Sequence, residues 1–162
     1  LGVVQGDGQI PYTPAAAMKK AENAANWIDR DPELKCYLPG IPRATYMPYP
    51  FQIVQSSAKI QMIYTFSNAA RTIHLDQVAG PPDDTWMGHS VGRWDGDTLV
   101  VDSKGFVENN WLDNNGHPGT ESLRLTERFR RRDFGHLDVT MTIDDPKAYT
   151  KPWTVTVPLV AV

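Results

Sequence analysis

The sequence predicts an all-β domain, an antiparallel meander of about eight strands in a closed or partly closed barrel. Residues 51–162 carry about eight short strand-like segments separated by turn residues, and no helical pattern alternates with them. Residues 86–106 contain the strongest hairpin signal, because Asp95-Gly96 supplies a tight turn between two strand-like segments. Such strands pair with their neighbours in sequence order, which favours a barrel over a sandwich.

The first 50 residues are predicted to form an N-terminal arm, one helix and a loop that packs on the barrel. A Gly-rich extended arm comes first. Thr13 is a good N-cap and Pro14 fits the first helical position, so a helix begins there. The helix ends before Pro32, and the proline-rich segment that follows predicts a loop over the surface.

The predicted strands share alternating apolar positions or β-branched residues, and they are bounded by Gly, Pro, Asn, Asp or Ser. The last one is apolar and stops without a polar tail, so either the chain is cut there or an exposed edge needs a partner. The predicted strands are 51–55, 60–66, 71–76, 89–94, 98–103, 121–130, 136–143 and 153–162. The intervening segments 77–84 and 105–120 are predicted loops.

Composition and charge exclude several classes of protein. The net charge of −3 gives no general attraction to nucleic acid or to anionic membranes, and no apolar stretch is long enough for a membrane span. The single cysteine, Cys36, cannot form an intrachain disulfide. The sequence contains no P-loop, dinucleotide fingerprint, nucleophile elbow or local metal motif. The chain begins without Met, which is compatible with a processed N-terminus.

Several motifs resemble those of a family of β-rich proteins from environmental bacteria that are taken to be secreted and have no established activity. The resemblance extends from Tyr12 to about Trp153 and implies a β-barrel-like domain and a secreted or periplasmic location. Members of the family usually continue beyond the position of Trp153, and the V-P-L-V-A-V end departs from that pattern. The motifs are D-P-E-L-K-C-Y-L-P-G-I-P-R (31–43), W-M-G-H-S-V-G-R-W-D-G-D-T-L-V-V-D (86–102), W-L-D-N-N-G-H-P (111–118), L-T-E-R-F-R-R (125–131) and D-D-P-K-A-Y-T-K-P-W (144–153).

A site for acid–base or metal chemistry would have to be formed by residues from separate strands and loops. The best assembly uses His89, Asp102, Asp113, His117 and Glu127. His89 on the hairpin is interpreted as a hydrogen-bonded structural histidine or as a base or metal ligand. His117 lies in a Gly/Pro loop of the kind that often carries function, and Asp113 can orient it. A simple turn with polar surface residues is the alternative for this loop.

Glu127 is unusual because it lies on a strand face shared with Leu123, Leu125 and Phe129. A carboxylate on an apolar face is costly unless it is paired or functional. It is therefore interpreted as a structural ion-pair partner of an arginine such as Arg71 or Arg124, as a general acid or base in a cavity, or as a solvated strand end.

Aromatic side chains offer a second kind of site. Most of them are expected in the core, but a hollow barrel would place some of them along its interior. The predicted ligand-binding residues are Trp94, Trp111, Tyr64 and Arg71.

Three functional hypotheses follow. The first is a secreted or periplasmic β-barrel that binds a small, partly apolar molecule in its interior. The second is an enzyme (a lyase, isomerase or hydrolase) in which His89, His117, Asp113 and Glu127 provide acid–base groups, or His89 and His117 hold a divalent metal. The third is a homo-oligomer that assembles by strand addition through the C-terminal strand and the N-terminal arm.

Overall fold

A computed structural model describes residues 2–76, 79–80 and 83–161. The described chain is mostly β: one nine-stranded mixed sheet, a separate two-stranded ribbon and three α-helices. The predicted loop 77–84 lies partly outside the described residues, as does the final residue of the predicted last strand. Among the described residues, no helix is both long and apolar enough to cross a bilayer.

The predicted N-terminal helix is present. Helix α1 covers Pro14–Ala25, and Thr13 Oγ1 accepts a hydrogen bond from the Ala16 backbone N–H (3.2 Å), as expected of an N-cap. The remaining helices are short: α2 (Trp27–Arg30), α3 (Arg43–Tyr46) and the 3₁₀ turns Glu33–Lys35 and Phe66–Asn68.

All eight predicted strands are present, with ends that differ by up to three residues from the prediction. Three two-residue strands add to them. In chain order the strands are β1 (Val3–Val4), β2 (Phe51–Gln55), β3 (Lys59–Tyr64), β4 (Ala70–His74), β5 (His89–Asp95), β6 (Thr98–Lys104), β7 (Asn110–Trp111), β8 (Pro118–Gly119), β9 (Arg124–Arg131), β10 (His136–Asp144) and β11 (Trp153–Val160).

The large sheet has the order β1-β11-β10-β9-β6-β5-β4-β3-β2. Two features differ from the prediction. First, β4 and β5 are parallel, with Ile73 opposite Ser90. The connection 75–88 has the dozen or more residues that a parallel crossover requires. Second, strand pairing does not close the sheet, so the predicted barrel is not supported: β1 and β2 are its two edges.

The core lies on one face of the sheet. Inward residues of successive strands are almost fully buried, whereas their neighbours along each strand are mostly half-buried or exposed, the period-2 alternation of a one-sided sheet. Among the buried core residues are Ile60, Met62, Ile73, Val101, Leu125, Val139, Met141 and Val155.

The proline-rich segment is more deeply buried than predicted. Ile41 and Ala44 are 0% and 1% exposed and belong to the core, so the middle of the segment, 39–45, is not a surface loop, whereas 34–38 and 48–50 are exposed. The reason is the bidentate pairing of Arg43 with Asp31, at 2.7 and 2.8 Å, which lets a charged segment enter the interior.

The N-terminal arm and the C-terminal strand pair within the chain. Strand β11 pairs with β10 over its whole length, and β1 adds to its other side opposite Val155 and Thr156. The edge at the far end of the sheet is β2, where Ile53 and Val54 are each 47% exposed.

Candidate functional site

A charged pair lies on the apolar inner face of the sheet. Arg71 on β4 forms an ion pair with Glu127 on β9, and these side chains are 1% and 0% exposed. Strands β5 and β6 separate β4 from β9, and each contributes a serine to this pair. Arg71 donates from Nε to Ser90 Oγ (3.0 Å) and from Nη2 to Ser103 Oγ (2.9 Å). The small serines leave room for the arginine to reach across the inner face of the sheet to Glu127.

An ion pair with an arginine is one of the alternatives that the sequence offers for Glu127, and the arginine in the structure is Arg71. Burial alone would lower the pKa of Arg71, but Glu127 and Tyr64 beside it raise that pKa above its usual value. Glu127 Oε2 accepts from Arg71, whereas Glu127 Oε1 is buried and has no hydrogen-bond partner among the described residues. A buried carboxylate oxygen without a donor is costly, so this atom marks a place for a further polar group.

Polar contacts continue from the ion pair towards the edge of the sheet. The Tyr64 hydroxyl lies 3.2 Å from Thr45 Oγ1 and 3.5 Å from Met62 Sδ, and Arg71 Nη1 lies 4.0 Å from the same sulfur. Burial and, to a smaller extent, Glu127 raise the pKa of Tyr64, so its hydroxyl stays protonated at neutral pH. Thr45 thus forms the outer end of a buried polar chain that ends at Glu127.

Thr45 also lines an apolar cleft of about 270 Å³, which has residues from both ends of the sheet on its walls. One wall comes from β2 and the segment before it, and the other from β10 and the end of β11. Phe51 packs its ring on Tyr64 at a centroid distance of 5.3 Å, which connects the wall to the buried chain. The lining residues are Thr45, Met47, Tyr49, Pro50, Phe51, Ile53, Leu137, Leu159, Val160 and Ala161.

A second cluster lies in the loop between β7 and β8. Asp113 Oδ1 and His117 Nδ1 are 2.6 Å apart, which is the orientation of His117 by Asp113 that the sequence suggests. The Tyr12 ring stacks on the His117 ring at 6.0 Å. Burial, followed by the Asp113 charge, raises the pKa of Tyr12 to about 12. A carboxylate that orients an imidazole is an arrangement suited to acid–base chemistry.

Asp113 is expected to stabilise the fold in a pH-dependent way. Burial alone would raise its pKa, but the hydrogen bonds and charge of His117 lower it below the usual value. The contribution is therefore present above the unfolded-state pKa of about 3.9 and is lost as the pH falls through the lower folded-state pKa.

Asp113→Asn is accordingly expected to reduce the free energy of unfolding by about 2–3 kcal/mol at pH 7 and by less at pH 3, where the contribution is being lost. Urea unfolding at both values measures this difference. Asp133→Asn is the control, because Asp133 makes the same contact with His136 (2.7 Å) on an exposed turn. An Asp113→Asn effect of equal size at pH 7 and pH 3 would contradict the assigned role.

His89 lies on the outer face of β5, where it shares a groove with Asp102, whereas Glu127 lies on the inner face. Its ring contacts that of His74 at a centroid distance of 5.3 Å, and it packs against Gly80. The neighbours of His117 are instead Tyr12 and Asp113. Among residues 2–76, 79–80 and 83–161, no group of three or more His, Cys, Asp or Glu is arranged to hold a metal ion. The divalent-metal hypothesis for His89 and His117 therefore gains no support from the geometry.

The remaining predicted residues fall in different surroundings. Tyr64 and Arg71 belong to the buried polar chain, and Trp111 is 3% exposed in the β7–β8 ribbon. Trp94 is 52% exposed, so it does not line an interior. It immediately precedes the Asp95-Gly96 turn, in the exposed end of the hairpin formed by residues 93–97. Asp102 is on the outer face, where it pairs with Arg93.

Sequence reasoning missed Thr45, which lies in the segment interpreted as a surface loop. It also missed Lys104, Arg124 (outside its possible pairing with Glu127) and Asp144, which share the outer face with His89. Of these three, only Arg124 lies on a predicted strand; Lys104 and Asp144 each fall one residue beyond one, at the ends of the observed β6 and β10. Their alignment depends on strand register, which the sequence pattern does not give. Comparison with protein-family models, with curated proteins and with solved structures finds no match for this chain.

Proposed function

We propose that this protein binds a small, mostly apolar molecule with one polar group in the cleft between the two ends of its sheet. In this proposal the sheet acts as a partly closed barrel, and its opening is the binding site. The observation that carries the proposal is the apolar cleft with Thr45 at its inner side, connected to the buried Arg71–Glu127 pair.

The size and lining of the cleft fit such a ligand. Its volume of about 270 Å³ lies just below the usual range of small-molecule sites, roughly 300–1,000 Å³. Apolar side chains form most of its lining, and Ile53 in that lining is 47% exposed. Covering this surface would remove apolar area from water, at roughly 25 cal/mol per Å².

The polar group of the ligand is expected to point towards Thr45. The Tyr64 hydroxyl donates to Met62 Sδ, so Thr45 donates to Tyr64, and the lone pairs of Thr45 Oγ1 can accept a hydrogen bond from a ligand. A ligand hydroxyl group that donates a hydrogen bond to Thr45 therefore fits this buried polar chain better than an ether oxygen or a hydrocarbon end does. The ligand class is therefore an apolar alcohol or a similar monopolar molecule.

Ile53→Asp is expected to weaken binding of 1-octanol by about tenfold or more, because one apolar contact of that size contributes about 1.5–3 kcal/mol. Isothermal titration calorimetry measures the affinity. Ile63→Asp is the matched control: Ile63 on β3 is also 47% exposed but does not line the cleft.

The isomeric ether 1-methoxyheptane tests the polar end, because it has the same number of heavy atoms and no O–H donor. We expect the ether to bind several-fold more weakly than the alcohol. Equal weakening by Ile53→Asp and Ile63→Asp, or no saturable binding of 1-octanol, would sink the proposal.

The other two hypotheses are less well supported. The Asp113–His117 contact favours acid–base chemistry in one loop, but His89 and Glu127 belong to other clusters. Assembly through the C-terminal strand stays a prediction. The pairing of β11 with β10 and β1 in its own chain does not favour it. A secreted or periplasmic location also stays a prediction.

A further inference from the structure

Two adjacent grooves on the outer face of the sheet share four polar residues. The grooves have volumes of about 600 and 560 Å³, and both are lined by His89, Lys104, Arg124 and Asp144. These residues lie on β5, β6, β9 and β10, which are consecutive neighbours in the sheet. They are therefore distinct from the apolar cleft, which is lined by other residues.

Strand register aligns the four residues in one row. His89 is opposite Lys104, and Arg124 is opposite Asp144. Ser103 is opposite Leu125 in the antiparallel pair β6–β9, which brings the next residue, Lys104, beside Arg124. Neighbouring strands lie roughly 4.8 Å apart, so the two cationic residues of the row are close neighbours.

Other cations on this face are held in close ion pairs, whereas Arg124 only has Asp144 opposite it across the β9–β10 ladder. Arg93 pairs with Asp102, and Arg128 pairs with Asp95 at 2.8 Å. Within the described part of the chain, neither Lys104 nor Arg124 makes an ion pair within 4.0 Å. Like charges side by side on a sheet are destabilising, and a bound anion would offset that repulsion.

We propose that Lys104 and Arg124 bind the carboxylate or phosphate group of a small molecule that lies in these outer grooves. Arginine presents a planar fork that matches either oxyanion, and lysine adds a point charge. His89 and Asp144 flank the cations at the two ends of the row.

Charges in the two grooves indicate where the anion would lie. The smaller groove holds three cations (Arg93, Lys104 and Arg124) against two carboxylates (Asp102 and Asp144), an excess of one positive charge. Thr126 and Thr142 also line this groove and carry side-chain hydroxyl groups. The larger groove instead adds acidic residues, namely Asp83, Asp84 and Glu121. The anionic group is therefore assigned to the smaller groove.

Calorimetric titration with inorganic phosphate and with succinate, at constant ionic strength, tests the proposal. We expect saturable binding of at least one anion, weakened by about tenfold in Arg124→Gln and in Lys104→Gln. Arg130→Gln is the matched control, because Arg130 lies on the same strand and face but interacts with Asp97 at 3.6 Å. Its affinity is expected to change by less than about twofold.

Asp144→Asn supplies a test with the opposite sign, because removing a negative charge beside the site should tighten anion binding. A preference for phosphate or for succinate identifies the oxyanion. The proposal is overturned if the wild-type protein binds neither anion, if Arg130→Gln weakens binding as much as Arg124→Gln does, or if Asp144→Asn weakens it. All variants change partly or fully exposed side chains, and thermal unfolding checks that each is folded.

Discussion

Arg71→Met is expected to lower the free energy of unfolding by about 3–5 kcal/mol, because it leaves the buried Glu127 carboxylate without its counter-charge. The same change frees the hydroxyls of Ser90 and Ser103 from their donor. Denaturant unfolding measures the loss as a lower midpoint at an unchanged slope. The double variant Arg71→Met/Glu127→Leu is expected to recover much of the stability, because it removes both charges from the apolar interior.

Arg128→Met is the control for this experiment. It removes the same kind of side chain from the ion pair with Asp95, whose members are 46% and 65% exposed. A change of less than about 1 kcal/mol is expected there. A similarly small effect of Arg71→Met would contradict the view that the inner ion pair is desolvated and dependent on its partner.

Arg43→Leu is the second substitution with a large expected effect. Arg43 is 3% exposed, donates two hydrogen bonds to Asp31 and donates a third from Nε to Asn114 Oδ1 at 2.7 Å. Its loss would leave the buried Asp31 carboxylate unpaired, at about 3–5 kcal/mol. The midpoint of thermal unfolding is therefore expected to fall by about 10 °C or more.

The same substitution also tests the connection to the binding cleft, because Thr45 lies two residues after Arg43 in helix α3. Weaker binding of 1-octanol at a temperature where the variant is folded is expected. Arg30→Leu is the control, since Arg30 pairs with Glu22 on the surface and its removal should shift the midpoint by only a few degrees. Equal shifts for the two variants would show that the Arg43–Asp31 pair does not anchor this segment.

Much of the local structure could be predicted from the sequence because it depends on short-range chemistry. The Asp95-Gly96 turn and the Thr13 cap follow from backbone preferences of single residues. The position of Glu127 among apolar strand neighbours was enough to suggest an arginine partner. These predictions needed no knowledge of how distant segments meet.

Long-range arrangement could not be predicted in the same way. The direction of β5 relative to β4 depends on the path of the connection between them, and no turn residue encodes it. The burial of Arg43 depends on Asp31, twelve residues earlier, being oriented to pair with it. The row that contains Lys104 and Arg124 exists only because three separate strand pairings have one particular register, and a shift of one residue would turn these side chains to the core.

The most direct test of the proposed function is a methyl NMR titration of the protein with 1-octanol. The account predicts saturable shifts of the methyl groups that line the cleft, those of Ile53, Leu137, Leu159 and Val160. The methyl chemical shifts of Ile63 and Val91 are expected to stay unchanged. Ile63 lies outside the cleft lining, and Val91 lines the outer groove. Shifts confined to the outer groove, or no saturable shift at the cleft, would contradict the account.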